Sequence, residues 1–398
     1  MNDAQRPPVT DWTTDFDHTD PQYGPRAPEI WDMLREVCPV AHSDRFGGTW
    51  LPVRHEDVTE IAHDTDHFSS VGVIVSPQKP EEDPGLGGAP PITSDPPFHT
   101  FARRLLLPAF SPKAIDPWEE TTREVCRELL DELLADDPTE VDAALGYTQH
   151  IPVRVIAKML GVPAEDGDKF RGFIHRIIET PGAEYDLPEE ESLEYYLDAV
   201  IEDHRQNPRE DLTQFLMDIR VDDGPLSHEH VRGSMALLLI AGIDTTWSAI
   251  GSSLWHLAQN PDDRHRIIND PDVIPFAVEE LLRFYAPVTM ARIVAQDVEL
   301  GGQQMKANDW VLLPFPAANR DPEAFDDADQ FVVDRAKNRH SAFGLGIHRC
   351  IGSNLARMEL RIAVEEWLAR VPDFELNGDV RWSAGQIRGP RELPVKIG

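Results

Sequence analysis

The feature that most constrains this chain is the stretch from Ser227 to about Gln259, which holds no proline and is closed by Asn260-Pro261. As one helix of about 33 residues it is roughly 50 Å long, enough to cross a whole domain. Its longest apolar run, Met235 to Ile243, is about half of what a bilayer crossing needs and is bounded closely by Arg232 and Asp244. The stretch therefore reads as the spine of a helical core, not as a membrane span.

The flanking sequence agrees. From Asp95 to about Asn260 apolar residues recur at helical spacing, as in Val125, Leu129, Leu130, Leu133 and Leu134. Before that, prolines and glycines between Ser76 and Pro97 forbid regular structure and predict a long loop. A helix is expected to restart at Asp95-Pro96-Pro97, with Asp95 or a neighbour as its cap. Beyond Ala286-Pro287, short runs starting at Arg292, Asp297 and Trp310 alternate with Gly301-Gly302 and Asn308-Asp309 and read as strands. The expected fold class is mainly α with minor β in small sheets. With no repeat and no flexible linker, residues 1–398 are read as a single domain with an irregular segment over 1–25.

Charge narrows the partners. Against 71 acidic residues stand 37 Lys and Arg, a net −34, so nucleic acid and anionic membrane surfaces are excluded as partners. Three scattered cysteines, Cys38, Cys126 and Cys350, do not make a disulfide framework, and the N-terminal residues carry no signal-like apolar run, so a cytoplasmic location is expected.

Three motifs carry chemistry. In Phe343-Gly-Leu-Gly-Ile-His-Arg-Cys-Ile-Gly352, Gly344, Gly346 and Gly352 permit tight turns, and Cys350 lies just before a helix whose free N–H groups favour a thiolate. Alone, Cys350 fits an inert thiol or, with His348, a zinc ligand, although no second pair has zinc spacing. In Ala241-Gly-Ile-Asp-Thr-Thr246, Leu237, Ala241 and Thr245 share one helical face, and Asp244 is an acid among leucines, either capped structurally or a proton carrier. A local bulge at Gly242 is plausible, with a threonine bonding back to a freed carbonyl. In Glu280-Leu-Leu-Arg283 a carboxylate and a guanidinium stand three residues apart among apolar neighbours.

Together these segments resemble the cytochrome P450 family of bacterial, soluble type. The cysteine loop is similar to Phe-Gly-x-Gly-x-His-x-Cys-x-Gly at every fixed position. The resemblance implies the cytochrome P450 fold, with a long central helix over haem b. It makes Cys350 the iron-binding thiolate in a haem-binding loop with Phe343, Gly344 and Gly352, His348 a residue that reaches a haem propionate, and Asp244 with Thr245 the proton-delivering acid and alcohol. Glu280 and Arg283, completed by Arg335, would be a structural triad. His99 and Arg103, in Asp95-Pro-Pro-Phe-His-Thr-Phe-Ala-Arg103, and Arg292 would hold haem propionates, Phe98 standing where the family usually has an acid.

The implied function is a monooxygenase that inserts one oxygen atom from O2 into a small or medium apolar substrate by hydroxylation or dealkylation. Electrons would come from NAD(P)H through a separate reductase and ferredoxin, docking near Cys350 on Arg104, Lys113, Arg349, Arg357 and Arg361. Leu237, Ile240 and Ala241, with Val288, Thr289, Met290 and Ile387, would line the substrate pocket, and Ser76–Pro91 with Phe173–Tyr185 would cover it. A haem-thiolate sensor or carrier is the alternative, disfavoured by Asp244 and Thr245. A helical zinc hydrolase lacks further ligands.

Overall fold

The structure, a computed structural model, describes residues 6–77, 79–80, 88–180, 188–222 and 224–398. The helices that matter here are α1 (Tyr23–Val37), α2 (His55–His63), α3 (Phe98–Leu106), α4 (Trp118–Leu133), α5 (His150–Leu160), α6 (Gly167–Ile174), α7 (Leu193–Gln206), α8 (His228–Gln259), α9 (Ile274–Phe284) and α10 (Ser353–Arg370). Strands β1 (Val40–Ser43), β2 (Thr49–Pro52), β3 (Phe68–Ser69), β4 (Glu140–Asp142), β5 (Thr289–Val294), β6 (Val298–Leu300), β7 (Gln303–Met305), β8 (Trp310–Pro314), β9 (Phe374–Leu376), β10 (Arg381–Trp382), β11 (Pro390–Glu392) and β12 (Pro394–Ile397) complete the frame.

The spine is α8. Ser227 caps it, its hydroxyl accepting from the His230 amide at 3.2 Å, and Pro261 starts the next helix once Gln259 ends it. By length and composition α8 could span a membrane, yet 67% of its most apolar window is buried by protein. Helices α5, α7 and α10 pack against it and α4 packs in turn on α5 and α10, and Leu129, Leu130, Ile151, Leu197, Leu254 and Leu360 join one apolar core. Burying each such side chain contributes about 1.5–3 kcal/mol before entropy is charged against it.

A five-stranded sheet of order β1-β2-β8-β5-β3 lies apart from this core over its own apolar cluster of Trp31, Leu51, Ile293 and Trp310. Strand β5 pairs antiparallel with β8, Arg292 opposite Val311. Strands β9, β12 and β4 form a second sheet, and β10–β11 and β6–β7 are two-stranded hairpins, the latter turning at Gly301 and Gly302 with φ of +54° and +78°.

Three local readings change. Helix α1 begins at Tyr23, inside the stretch read as irregular. Helix α3 begins at Phe98 after Pro97, and Asp95 is no cap: its carboxylate instead accepts from the Ser69 hydroxyl at 2.5 Å and the Ser70 amide at 2.8 Å. Helix α8 runs unbroken past Gly242, with no bulge. The Thr245 hydroxyl does bond back to the Ala241 carbonyl at 2.9 Å. Of the loops read as a cover, residues 78, 81–87 and 181–185 lie outside the described residues. The described part of the second is α6 followed by one wide helical turn over His175–Glu179.

Candidate functional site

The cysteine loop rests on α2. A Cβ on Gly346, at φ +65°, would collide with the Ala62 carbonyl, and Gly344 has φ +72°, so both positions demand glycine. The Cys350 amide closes the loop by donating to the Phe343 carbonyl at 2.7 Å, and Gly352 then precedes α10. Burial pushes the Cys350 thiol above its ordinary range, opposed by the Gly352 amide and by Arg103, Arg349 and Arg357. The amide at the entry to α10 favours the thiolate, and burial outweighs it. Cys350 nevertheless presents open surface, as does Ala241 at the middle of the otherwise buried α8.

Around the loop collects a group of bases, and the acid that acts on them, Asp95, is itself engaged by Ser69 and Ser70. Arg292 is buried on β5, where its guanidinium donates to the adjacent Ala291 carbonyl at 2.7 Å, and desolvation lowers its pKa to about 10. Arg103 donates to the Arg349 carbonyl. Among the described residues neither arginine is ion-paired to a carboxylate. The His99 ring lies tilted against that of His348, centroids 4.3 Å apart, and among the described residues its ring nitrogens meet at most the Ile347 backbone. His348 meets the Ser70 hydroxyl at 2.9 Å, and burial with the neighbouring Arg292 drives its pKa to about 2. Three elements, α3, β5 and the cysteine loop, thus bring two arginines and two histidines together against Asp95, which leaves room for a further anion. Haem fits: a soft metal for Cys350 and carboxylates for the bases. Phe98 instead joins Phe101 in packing on His230 of α8, centroids 5.8 and 5.9 Å away.

On α8, Asp244 is 1% exposed. The Arg391 guanidinium of β11 donates to its Oδ1 at 2.7 Å, to the Ser248 hydroxyl at 3.1 Å and to Glu179 at 2.8 Å, and Glu179 in turn meets His175 at 2.9 Å. Among the described residues Oδ2 of Asp244 has no hydrogen-bond partner, and burial raises this acid to about 6 although Arg391 pulls it down. Sequence reasoning named Asp244 and missed both Arg391 and Glu179, which lie far from it along the chain and carry no local signal.

Helix α9 carries two carboxylates with separate duties. Glu280, fully buried, accepts from Arg283 at 2.7 and 2.8 Å, from Arg335 at 3.0 Å, from the Val332 amide at 2.8 Å and from Asn338 at 3.1 Å. The structure thus brings together the three residues nominated as a triad. Its neighbour Glu279, missed from sequence, binds Arg357 of α10 at 2.6 Å and His340 at 3.1 Å; those bonds overcome burial and hold it near pKa about 2. Two nominated docking bases are therefore engaged elsewhere: Arg357 with Glu279, and Arg361 with Glu119 at 2.8 Å and Glu365 at 3.1 Å. Arg104, Lys113 and Arg349 are exposed.

Val288 and Ile387 form an isolated β-bridge, so the segment before β5 and the C-terminal hairpin meet. Met290 and Ile240 are partly exposed, Leu237 is buried beside them on the Ala241 face, and Thr289 alternates to the opposite, buried face of the strand.

Comparison with known proteins gives the same picture. The family profile described as Cytochrome P450 matches residues 188–376. The chain is 34% identical over 373 residues to the mycinamicin IV hydroxylase/epoxidase of Micromonospora griseorubida, covering 91% of this chain and 93% of that protein. It is 35% identical over 357 residues to nocardicin C N-oxygenase of Nocardia uniformis subsp. tsuyamanensis, covering 87% and 89%. The solved structure of the cytochrome P450 PksS of Bacillus subtilis 168 superposes with a TM-score of 0.87 at 28% identity, covering 96% of this chain and 100% of that one.

Proposed function

The chain belongs to the cytochrome P450 family, whose members are haem-thiolate monooxygenases, and from that premise we propose the role of each residue gathered above. Bound haem supplies the activation of O2 and the insertion of one oxygen atom into an organic substrate. The chain holds it as follows: Cys350 is the thiolate ligand; Arg292, Arg103 and His99 take the two propionates of haem b; and His348, uncharged, packs against His99. The observation that carries this reading is the gathering of buried Arg292 and His99 with half-buried Arg103 and His348 beside Cys350, none of them ion-paired to a carboxylate among the described residues.

Asp244 and Thr245 move protons. Arg391 keeps Oδ1 of Asp244 engaged and leaves Oδ2 free to take a proton and pass it on, while the Thr245 hydroxyl, hydrogen-bonded to Ala241, lies on the face that Ala241 opens. Glu280, Arg283 and Arg335 hold the chain that leads into the cysteine loop. Leu237, Ile240, Ala241, Val288, Met290 and Ile387 give the substrate an apolar wall, which suits a small or medium apolar molecule oxidised by hydroxylation or dealkylation. Electrons come from redox partners, a ferredoxin with its NAD(P)H-dependent reductase, meeting Arg104, Lys113 and Arg349 in the cytoplasm.

The test is spectroscopic. Haem-loaded protein, reduced and exposed to carbon monoxide, gives the strongly red-shifted Soret band of thiolate ligation, and Cys350→Ser loses it while other folding signals stay. A wild-type protein that binds haem without that band would overturn the assignment of Cys350.

A further inference from the structure

The hairpin between β10 and β11 ends in a tip with two buried polar side chains, Ser383 and Gln386. The side-chain bonds of Gln386 all go to backbone. Oε1 accepts from the Val75 amide at 2.5 Å, and Nε2 donates to the Val73 carbonyl at 3.0 Å and to the Thr289 carbonyl at 2.9 Å. Its own carbonyl accepts from the Thr289 amide at 2.8 Å, so Gln386 and Thr289 pair in both directions, once through backbone and once through the side chain. The Val73 carbonyl also accepts from the Ala291 amide at 3.0 Å.

Three pieces of chain meet on this one amide. Val73–Val75 directly precedes the proline- and glycine-rich segment that starts at Ser76. Thr289 lies between Val288 and Met290, and Ile387 follows Gln386 and bridges Val288. The tip itself is held rigidly: Ser383 accepts from the Gly389 amide at 3.0 Å and donates to the Ile387 carbonyl at 2.5 Å. On its far side Gly385, at φ +86°, faces the Ile178 carbonyl of the turn after α6.

We propose that Gln386 is a specificity-determining positioning residue: by clamping Val73–Val75, β5 and the hairpin tip together it fixes how far Val288, Met290 and Ile387 stand from the oxidation site, and so the size of substrate admitted. Apolar side chains in such a wall slide past one another at little cost, whereas a side-chain amide with three bonds fixes one spacing. The inference rests on the reading of those three residues as pocket wall.

The experiment uses the ferric, haem-loaded enzyme and two measurements, Soret titration with imidazole, 1-butylimidazole and 4-phenylimidazole, and amide hydrogen exchange at Val75. Gln386→Leu, which keeps the volume and removes every side-chain bond, should speed Val75 exchange about tenfold or more and change the preference for the bulky over the small imidazole by about tenfold, with imidazole itself little affected. If that variant does not load haem, Gln386→Glu serves instead, because it keeps the acceptor for Val75 and loses the donor pair; it should change the size preference while leaving Val75 protected. Faster exchange with an unchanged size preference would make Gln386 a structural staple and overturn the proposal. A wild-type enzyme with no size preference at all would instead overturn the pocket reading beneath it.

Discussion

Asp244 and Arg391 make a buried ion pair in which one partner is also held from outside. Removing Arg391 withdraws the charge that lowers the pKa of Asp244, so the acid should titrate above its present value of about 6. In Arg391→Gln the pH dependence of product formed per NAD(P)H consumed should move to higher pH, because Asp244 then keeps its proton longer; a superimposable profile would remove Asp244 from the proton path. The same pair shows where residue-level reading of a sequence stops. Asp244, an acid inside an apolar helix, announces itself. Its partner is an arginine on a short strand 147 positions away, and Gln386 reaches 311 positions back to Val75. Only folding makes those pairs, and no periodicity or spacing records them.

At the scale of elements, helices write their own signals and their contacts do not. Ser227 and Pro261 mark the ends of α8 in sequence and in space, because a cap and a proline act within one turn. Asp95 had equally good capping chemistry, yet Ser69 and Ser70 of another element claim its carboxylate. Helix α9 shows the same limit, with Glu280 legible as half of a spaced pair and Glu279 silent beside it. Glu280→Ala strands two buried guanidinium groups and should cost about 3–5 kcal/mol by chemical denaturation, whereas the partly exposed Glu279→Ala should cost less and act mainly on haem retention through His340. Helix α10 adds a pH effect. Glu359 on it is 2% exposed, near Cys126 of α4, and burial raises it to about 8. The folded state therefore keeps this proton up to about pH 8, while the unfolded chain releases it near the ordinary value of 4.5. Stability is fully present below the lower value and declines as pH rises between the two, by at most about 1.4 kcal/mol per unit. Glu359→Gln should flatten that decline in denaturant midpoint measured from pH 5 to 8; an equally steep decline in the variant would show that another group carries it.

Across the whole molecule the net charge of −34 sets the problem of meeting an electron donor. A ferredoxin-type partner is itself usually acidic, so two negative bodies must approach through a local exception. Five bases near Cys350 looked equivalent in sequence, since spacing cannot show which of them already has a carboxylate. Folding divides them: Arg357 and Arg361 are committed to Glu279, Glu119 and Glu365, and Arg104, Lys113 and Arg349 remain exposed, beside Leu107 with 47% and Ile347 with 36% of their surface free. Those three bases should carry the steering, with the apolar surface next to them closing the contact. Reversing Arg104 or Arg349 to Glu should slow bimolecular reduction by a ferredoxin about tenfold at low ionic strength and by less than about twofold once salt shortens the Debye length to about 3 Å. Arg361→Gln, which breaks internal pairs instead, should leave that salt dependence intact and lower stability only slightly. Stopped-flow reduction across a salt series separates the two behaviours: if Arg361→Gln loses the salt dependence and Arg104→Glu keeps it, the docking face is the α4–α10 side and not the surface around Cys350.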